Sequence, residues 1–234
     1  MCSSSISWSF CLLLLSLEIG AAHAGEAGSK QQRAALYENG CARCHGPQGQ
    51  GSESLSIPSI AGQPAWYVLR QLDNFREDRR GTDSGLPQAV IMAAMVKVLA
   101  REHREGVAAF VESLVPVSPP VGTVKAADLA EGKTLFEERC MECHRYNGSG
   151  ELTFGSSPLT GLQDWYLKAQ IRNFKNGRRG ALPGDVFGAK MVFSAQFIES
   201  EEALQSVAAY IVSLNGVPKP TDDADALFKL PADK

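Results

Sequence analysis

The sequence predicts an all-α protein made of two similar helical units in tandem, on three observations. A five-residue pattern, Cys41-Ala42-Arg43-Cys44-His45, returns 99 positions later as Cys140-Met141-Glu142-Cys143-His144, and its neighbours return with it. Apolar residues near the end of each half recur at helical spacing, while alternating strand patterns are nearly absent. At 234 residues the chain has room for two domains of about a hundred residues each. The balance of charge, formally -3, and the lack of any run of five like charges speak against a nucleic-acid binder.

Residues 1–24 differ from the rest. They contain no Lys or Arg, one acid (Glu18), an apolar run from Phe10 to Leu17, and then Ala22-His23-Ala24. This reads as a cleaved export signal with an A-x-A-like site, although the usual positive charge at its start is missing. The run is too short to span a bilayer as a helix. An uncleaved anchor or a buried core helix is the competing reading.

Unit one is expected over residues 25–115 and unit two over 126–215. The offset of 99 pairs Gly62 with Gly161, Trp66 with Trp165, Tyr67 with Tyr166, Gln71 with Gln170, Phe75 with Phe174 and Met92 with Met191. It also pairs Arg79-Arg80-Gly81 with Arg178-Arg179-Gly180. In unit two Asp128 can cap a first helix, with Glu131 three residues on. Second helices are expected over 64–78, opened at Pro64, and over 163–176. Val107, Phe110, Val111 and Leu114 form an apolar stripe, repeated at an offset of 100 by Val207, Tyr210, Ile211 and Leu214. Between the halves, 116–125 is a proline-rich spacer. Residues 216–234 form a polar tail. Each unit alone buries too little apolar surface to be stable; an attached prosthetic group would complete its core.

Cys-x-x-Cys-His is the attachment signal for c-type haem. Two thiols form thioethers with the vinyl groups, and the adjacent histidine presents its imidazole to the iron. Cys41, Cys44, Cys140 and Cys143 are therefore taken as the attachment residues of two covalent haems c, with His45 and His144 as iron ligands. A four-cysteine zinc site is allowed by count but leaves both histidines unused, and a redox dithiol normally accompanies a βαβ pattern, which is not found.

Elimination gives the opposite ligand. Of four histidines, His23 lies in the signal, and His103 is the one spare residue, so two bis-histidine haems are excluded. Methionine is the usual alternative. Met141 lies inside its own motif, leaving Met191 for unit two, 47 residues after His144. Met92 stands 47 residues after His45 and is preferred over Met95. His103, in a charged run, reads as a solvated surface residue. With both axial positions filled, outer-sphere electron transfer is favoured over oxygen or peroxide chemistry.

These residues resemble class I cytochromes c of the two-haem cytochrome c4 type, over roughly residues 28–215. Pro58-Ser59-Ile60-Ala61-Gly62-Gln63 looks like that family's Pro-x-Leu-Ala-Gly-Gln segment, and Tyr67, Gln71, Leu72, Phe75 and Arg76 fit the helix that follows. The resemblance implies two class I cytochrome c domains with propionates facing across their interface. It also implies a periplasmic carrier passing single electrons toward a terminal oxidase or reductase. Haem or copper oxidases, dehydrogenases and quinol-oxidising complexes are the implied partners, without nucleic acid and with room for peripheral membrane association.

Pro58 would orient His45 through its carbonyl, and Pro158, displaced by one position, would do so for His144. Arg33 stands where unit two has Gly132, which implies a looser helix crossing in unit one. Trp66, Tyr67, Trp165 and Tyr166 are read as haem packing or as helix core. Arg79, Arg80, Arg178 and Arg179 are read as propionate partners or, preferably, as a solvated docking face. The competing functions are the cytochrome subunit of a dehydrogenase such as a sulfide-oxidising flavocytochrome, a dihaem peroxidase, and last a gas sensor.

Overall fold

A computed structural model describes residues 28–81, 87–119 and 126–216. The expected signal segment, most of the proline-rich spacer and nearly all of the tail lie outside the described residues. Ten α-helices occur among the described residues, five in each half: α1 Lys30–Leu36, α2 Ala42–His45, α3 Ala65–Arg76, α4 Pro87–Lys97 and α5 Arg101–Ser113, then α6 Ala126–Arg139, α7 Met141–His144, α8 Asp164–Lys175, α9 Val186–Ala195 and α10 Glu201–Ser213. No strand occurs among the described residues, and the only bridges are the isolated pairs Ser52–Ile57 and Glu151–Ser156, again 99 positions apart.

The helices begin and end where local chemistry dictates. Ser29 and Gln32 close a reciprocal capping box on α1, and Ser200 caps α10 through the Ala203 N–H. Pro64 occupies the cap position of α3, one residue outside the helix. Asp128 is not the cap expected of it: α6 already begins at Ala126, so the carboxylate sits in the first turn, where the helix dipole still favours it. In the first half a π-turn, Tyr37–Cys41, carries the chain into the haem motif, whereas α6 runs as α-helix to Arg139.

Each half has its own core. Tyr37, Leu72, Phe75, Val96, Val107 and Val111 form the first; Phe136, Leu167, Leu204, Val207 and Ile211 are central to the second. The apolar stripes of α5 and α10 supply one wall of each. Where the first and last helices of the second half cross, a Cβ on Gly132 would stand 2.0 Å from the Ser206 carbonyl oxygen, so only glycine fits. In the first half the small residue has changed helix: Arg33 corresponds to Gly132, and buried Gly106 corresponds to Ser206.

The two halves meet through a reciprocal polar contact. Arg80 donates to Gln71 Oε1 of its own half at 2.8 Å and, across the interface, to Tyr166 Oη at 3.1 Å and Gln170 Oε1 at 3.3 Å. Arg179 repeats this with the halves exchanged, donating to Gln170 Oε1 at 2.7 Å, Tyr67 Oη at 3.1 Å and Gln71 Oε1 at 3.0 Å. The reading of these arginines as a solvated docking face is corrected for Arg80 and Arg179. Arg179 is 8% exposed, and both guanidinium groups lie between the domains. Arg178 is exposed as expected.

Candidate haem sites

Both motifs form a single helical turn whose histidine is held by a carbonyl from the following loop. His45 Nδ1 lies 3.0 Å from Pro58 O, and His144 Nδ1 lies 2.8 Å from Ser157 O. A carbonyl can only accept, so Nδ1 carries the proton and the Nε2 lone pair is left for a metal. The carbonyl serving His144 belongs to Ser157 rather than Pro158. Ser157 stands 99 positions after Pro58, so the backbone kept its register while the proline moved.

The loop reaches back to the histidine through glycines. Gly51 N–H donates to His45 O at 2.8 Å and Gly150 N–H to His144 O at 3.0 Å. Both have φ above 70°, and a Cβ at either would come within 2.5 Å of a backbone oxygen across the loop. Burial lowers the pKa of both histidines, so the neutral imidazole is the resting form.

None of the four motif cysteines is paired in a disulfide. Burial, then the neighbouring Cys44, pushes Cys41 up to about 11; burial, then Cys143, pushes Cys140 to about 12. Zinc would need thiolates, and no group of three or more His, Cys, Asp or Glu able to hold a metal occurs among the described residues.

In the second half Cys140, Cys143, His144 and Met191 line one cleft, partly open to solvent and walled by Leu162 and Val207 among others. In the first half Cys41 and Met92 pack on the same apolar cluster, whereas Met95 is 49% exposed. His103 is exposed on α5.

The polar groups around the interface fit a haem that brings carboxylates. Arg80 and Arg179 place two positive charges together, and neither forms an ion pair among the described residues. Like charges buried side by side are costly unless anions join them. Two donors, Arg70 Nε–H and Trp165 Nε1–H, are buried without acceptors. Propionates would supply both needs, and thiols, imidazole and thioether suit the rest of the group. Tyr67 and Tyr166 line the cleft and also accept from the arginines across the interface, a contact not expected of them.

The cytochrome c family model matches residues 33–115 and 129–215. The chain belongs to the cytochrome c family. This cytochrome is 30% identical over 222 residues to the thiosulfate dehydrogenase electron acceptor of Stutzerimonas stutzeri strain A1501, covering 90% of this chain and 96% of that protein. It is 30% identical over 218 residues to cytochrome c4 of Stutzerimonas stutzeri, covering 87% and 97%. The crystal structure of reduced recombinant cytochrome c4 from Pseudomonas stutzeri superposes with a TM-score of 0.62 at 25% identity, covering 79% of this chain and 98% of that one. The cytochrome is thus a dihaem electron carrier of the cytochrome c4 type, with two covalently bound haems c.

Sequence reasoning missed Arg70, whose counterpart is Ala169, and the ordered loop turn at Gly155 that it meets. Only the break in the repeat marked it.

Proposed function

We propose that this cytochrome is an exported, periplasmic shuttle for single electrons between respiratory partners, with its N-terminal 24 residues removed on export. The observation that carries the ligand assignment is the cleft in which Cys140, Cys143, His144 and Met191 converge, with the same set at equivalent positions in the first half. In this reading Cys41, Cys44, Cys140 and Cys143 form the thioether links. His45 and His144 bind one face of each iron, and Met92 and Met191 the other. Each bound haem supplies a one-electron ferric/ferrous couple.

The chain's own residues do the rest. Pro58 O and Ser157 O hold the imidazoles in the binding tautomer. With Met92 and Met191 as ligands, the bound haems would offer no open position to a small molecule, as a carrier requires and a peroxidase or gas sensor does not. The apolar part of the cleft wall, Leu162 and Val207 among others, would limit the water around a bound haem, so less solvent reorganises when the charge changes. The two domains are proposed to span 25–115 and 126–215, a division supported by the two separate family matches at 33–115 and 129–215. No helix among the described residues is long and apolar enough to cross a membrane.

Terminal oxidases and dehydrogenases are the proposed partners. The relative named as an electron acceptor of thiosulfate dehydrogenase favours a sulfur-oxidising dehydrogenase as the donor, in preference to permanent residence in a flavocytochrome. The purified native protein tests the reading. A pyridine haemochrome count of two, a ferric absorption band of methionine–iron charge transfer, and slow, partial carbon monoxide binding are expected. A colourless protein, or rapid stoichiometric carbon monoxide binding, overturns it.

A further inference from the structure

The repeat is broken at one place where the break has a chemical consequence. Arg70 extends from α3 of the first domain into the cleft of the second, where Cys140, His144 and Met191 also lie. Its Nη2 donates to the Gly155 carbonyl of the second domain. Its guanidinium carbon lies 4.4 Å from the Phe187 ring centroid on α9, the helix that carries Met191. From behind, Trp66 and Tyr67 hold it at 5.0 and 5.5 Å. Gly155 admits Phe187 so closely that a Cβ there would stand 2.2 Å from the ring. The guanidinium is therefore fixed by aromatic faces from both domains. One donor, Nε–H, remains buried without an acceptor. Ala169 occupies the equivalent position in the second domain, so no arginine is sent back into the first domain's cleft from that position.

We propose that Arg70 is a cross-domain positioning residue for the second domain's haem, offering Nε–H to a propionate and raising that haem's potential. The proposal rests on the reading that Cys140, Cys143, His144 and Met191 hold that haem. A ferric haem carries one more positive charge than a ferrous one, so a fixed cation nearby disfavours the ferric state. The effect is large where solvent is excluded. Asp185, 8% exposed in the same cleft, acts in the opposite sense, and one of its oxygens accepts from the Gly188 N–H at 2.9 Å. Removing Arg70 takes away one of the cations, with Arg179, that offset that carboxylate, which adds to the fall. The site of the second haem is thus incomplete without the first domain, and the two irons are made unequal by a residue present on one side only.

Redox titration of the full-length holoprotein tests this, with oxidation at each iron followed through the methyl proton resonances of Met92 and Met191. In Arg70→Gln the ferrous-to-ferric ratio at the Met191 iron should fall about tenfold at fixed applied potential, which is about 59 mV for a one-electron couple. The Met92 iron should shift by less than a third of that. Arg70→Lys, which keeps the charge, should restore at least half of the change. Equal shifts in the Gln and Lys variants would reduce Arg70 to packing and overturn the proposal, as would an unmoved Met191 iron or a larger shift at the Met92 iron. A pyridine haemochrome count below two in the wild type would instead refute the haem assignment itself.

Discussion

Arg145 follows the second motif's histidine with φ 66° and ψ 157°, a region that only glycine enters without strain. Its counterpart, Gly46, has φ 80° and ψ 156°. The two halves share one backbone, and the second holds it with the wrong residue. The Arg145–Glu151 ion pair is half-exposed and returns little. Arg145→Gly should therefore raise stability by about 1 kcal/mol or more, seen as a higher denaturation midpoint with both haem spectra unchanged. At the ligand itself, Met191→Ala should lower one of the two potentials by more than about 59 mV, a tenfold change for one electron, and leave the other nearly alone. Residues of this kind were legible because they are chemically rare: four thiols, two usable histidines and a pair of methionines in equal spacing. The carbonyl that orients His144 was assigned one residue too far along, because a backbone oxygen has no side-chain signature and proline was used as its marker.

Among the elements, α4 and α9 were the least legible. Both read as almost uniformly apolar, PQAVIMAAMVK and VFGAKMVFSA, so no polar face betrays a helical period. They were expected only as places for a methionine. Helices α5 and α10 were legible because their stripes are clean. The crossing of α6 and α10 depends on Gly132, and a methyl group there meets backbone atoms that cannot yield. Gly132→Ala should cost about 1–3 kcal/mol, lowering the melting temperature of the second domain by several degrees. In the first domain Arg104, 7% exposed, donates to Asp73 at 2.9 Å and to Leu99 O at 2.8 Å. Its counterpart in the second domain is Leu204, 3% exposed. Arg104→Ala should cost about 1–3 kcal/mol, from the lost packing and hydrogen bonds of a buried guanidinium whose carboxylate partner is one-third exposed. Arg104→Leu should recover much of that loss, because the second core already carries leucine there; equilibrium denaturation of both variants checks the order.

At the scale of the whole molecule the repeat predicted two domains but not how they face each other. Arginines are usually solvated, and nothing within one half reveals that its arginine is satisfied by the other half's tyrosine and glutamine. Replacing both, as Arg80→Ala with Arg179→Ala, should leave two haems attached while uncoupling the domains. Thermal unfolding should then split into two transitions, where the parent protein shows a single one or two closely spaced ones.

That reciprocal contact has a two-fold character. Arg80 meets Tyr166 as Arg179 meets Tyr67. A surface complementary to its own copy is the signature of a symmetric homodimer. The two halves thus meet as the subunits of such a dimer would, with a covalent link in place of an association equilibrium. Joined in one chain they need not stay identical, and an arginine can stand on one side without standing on the other.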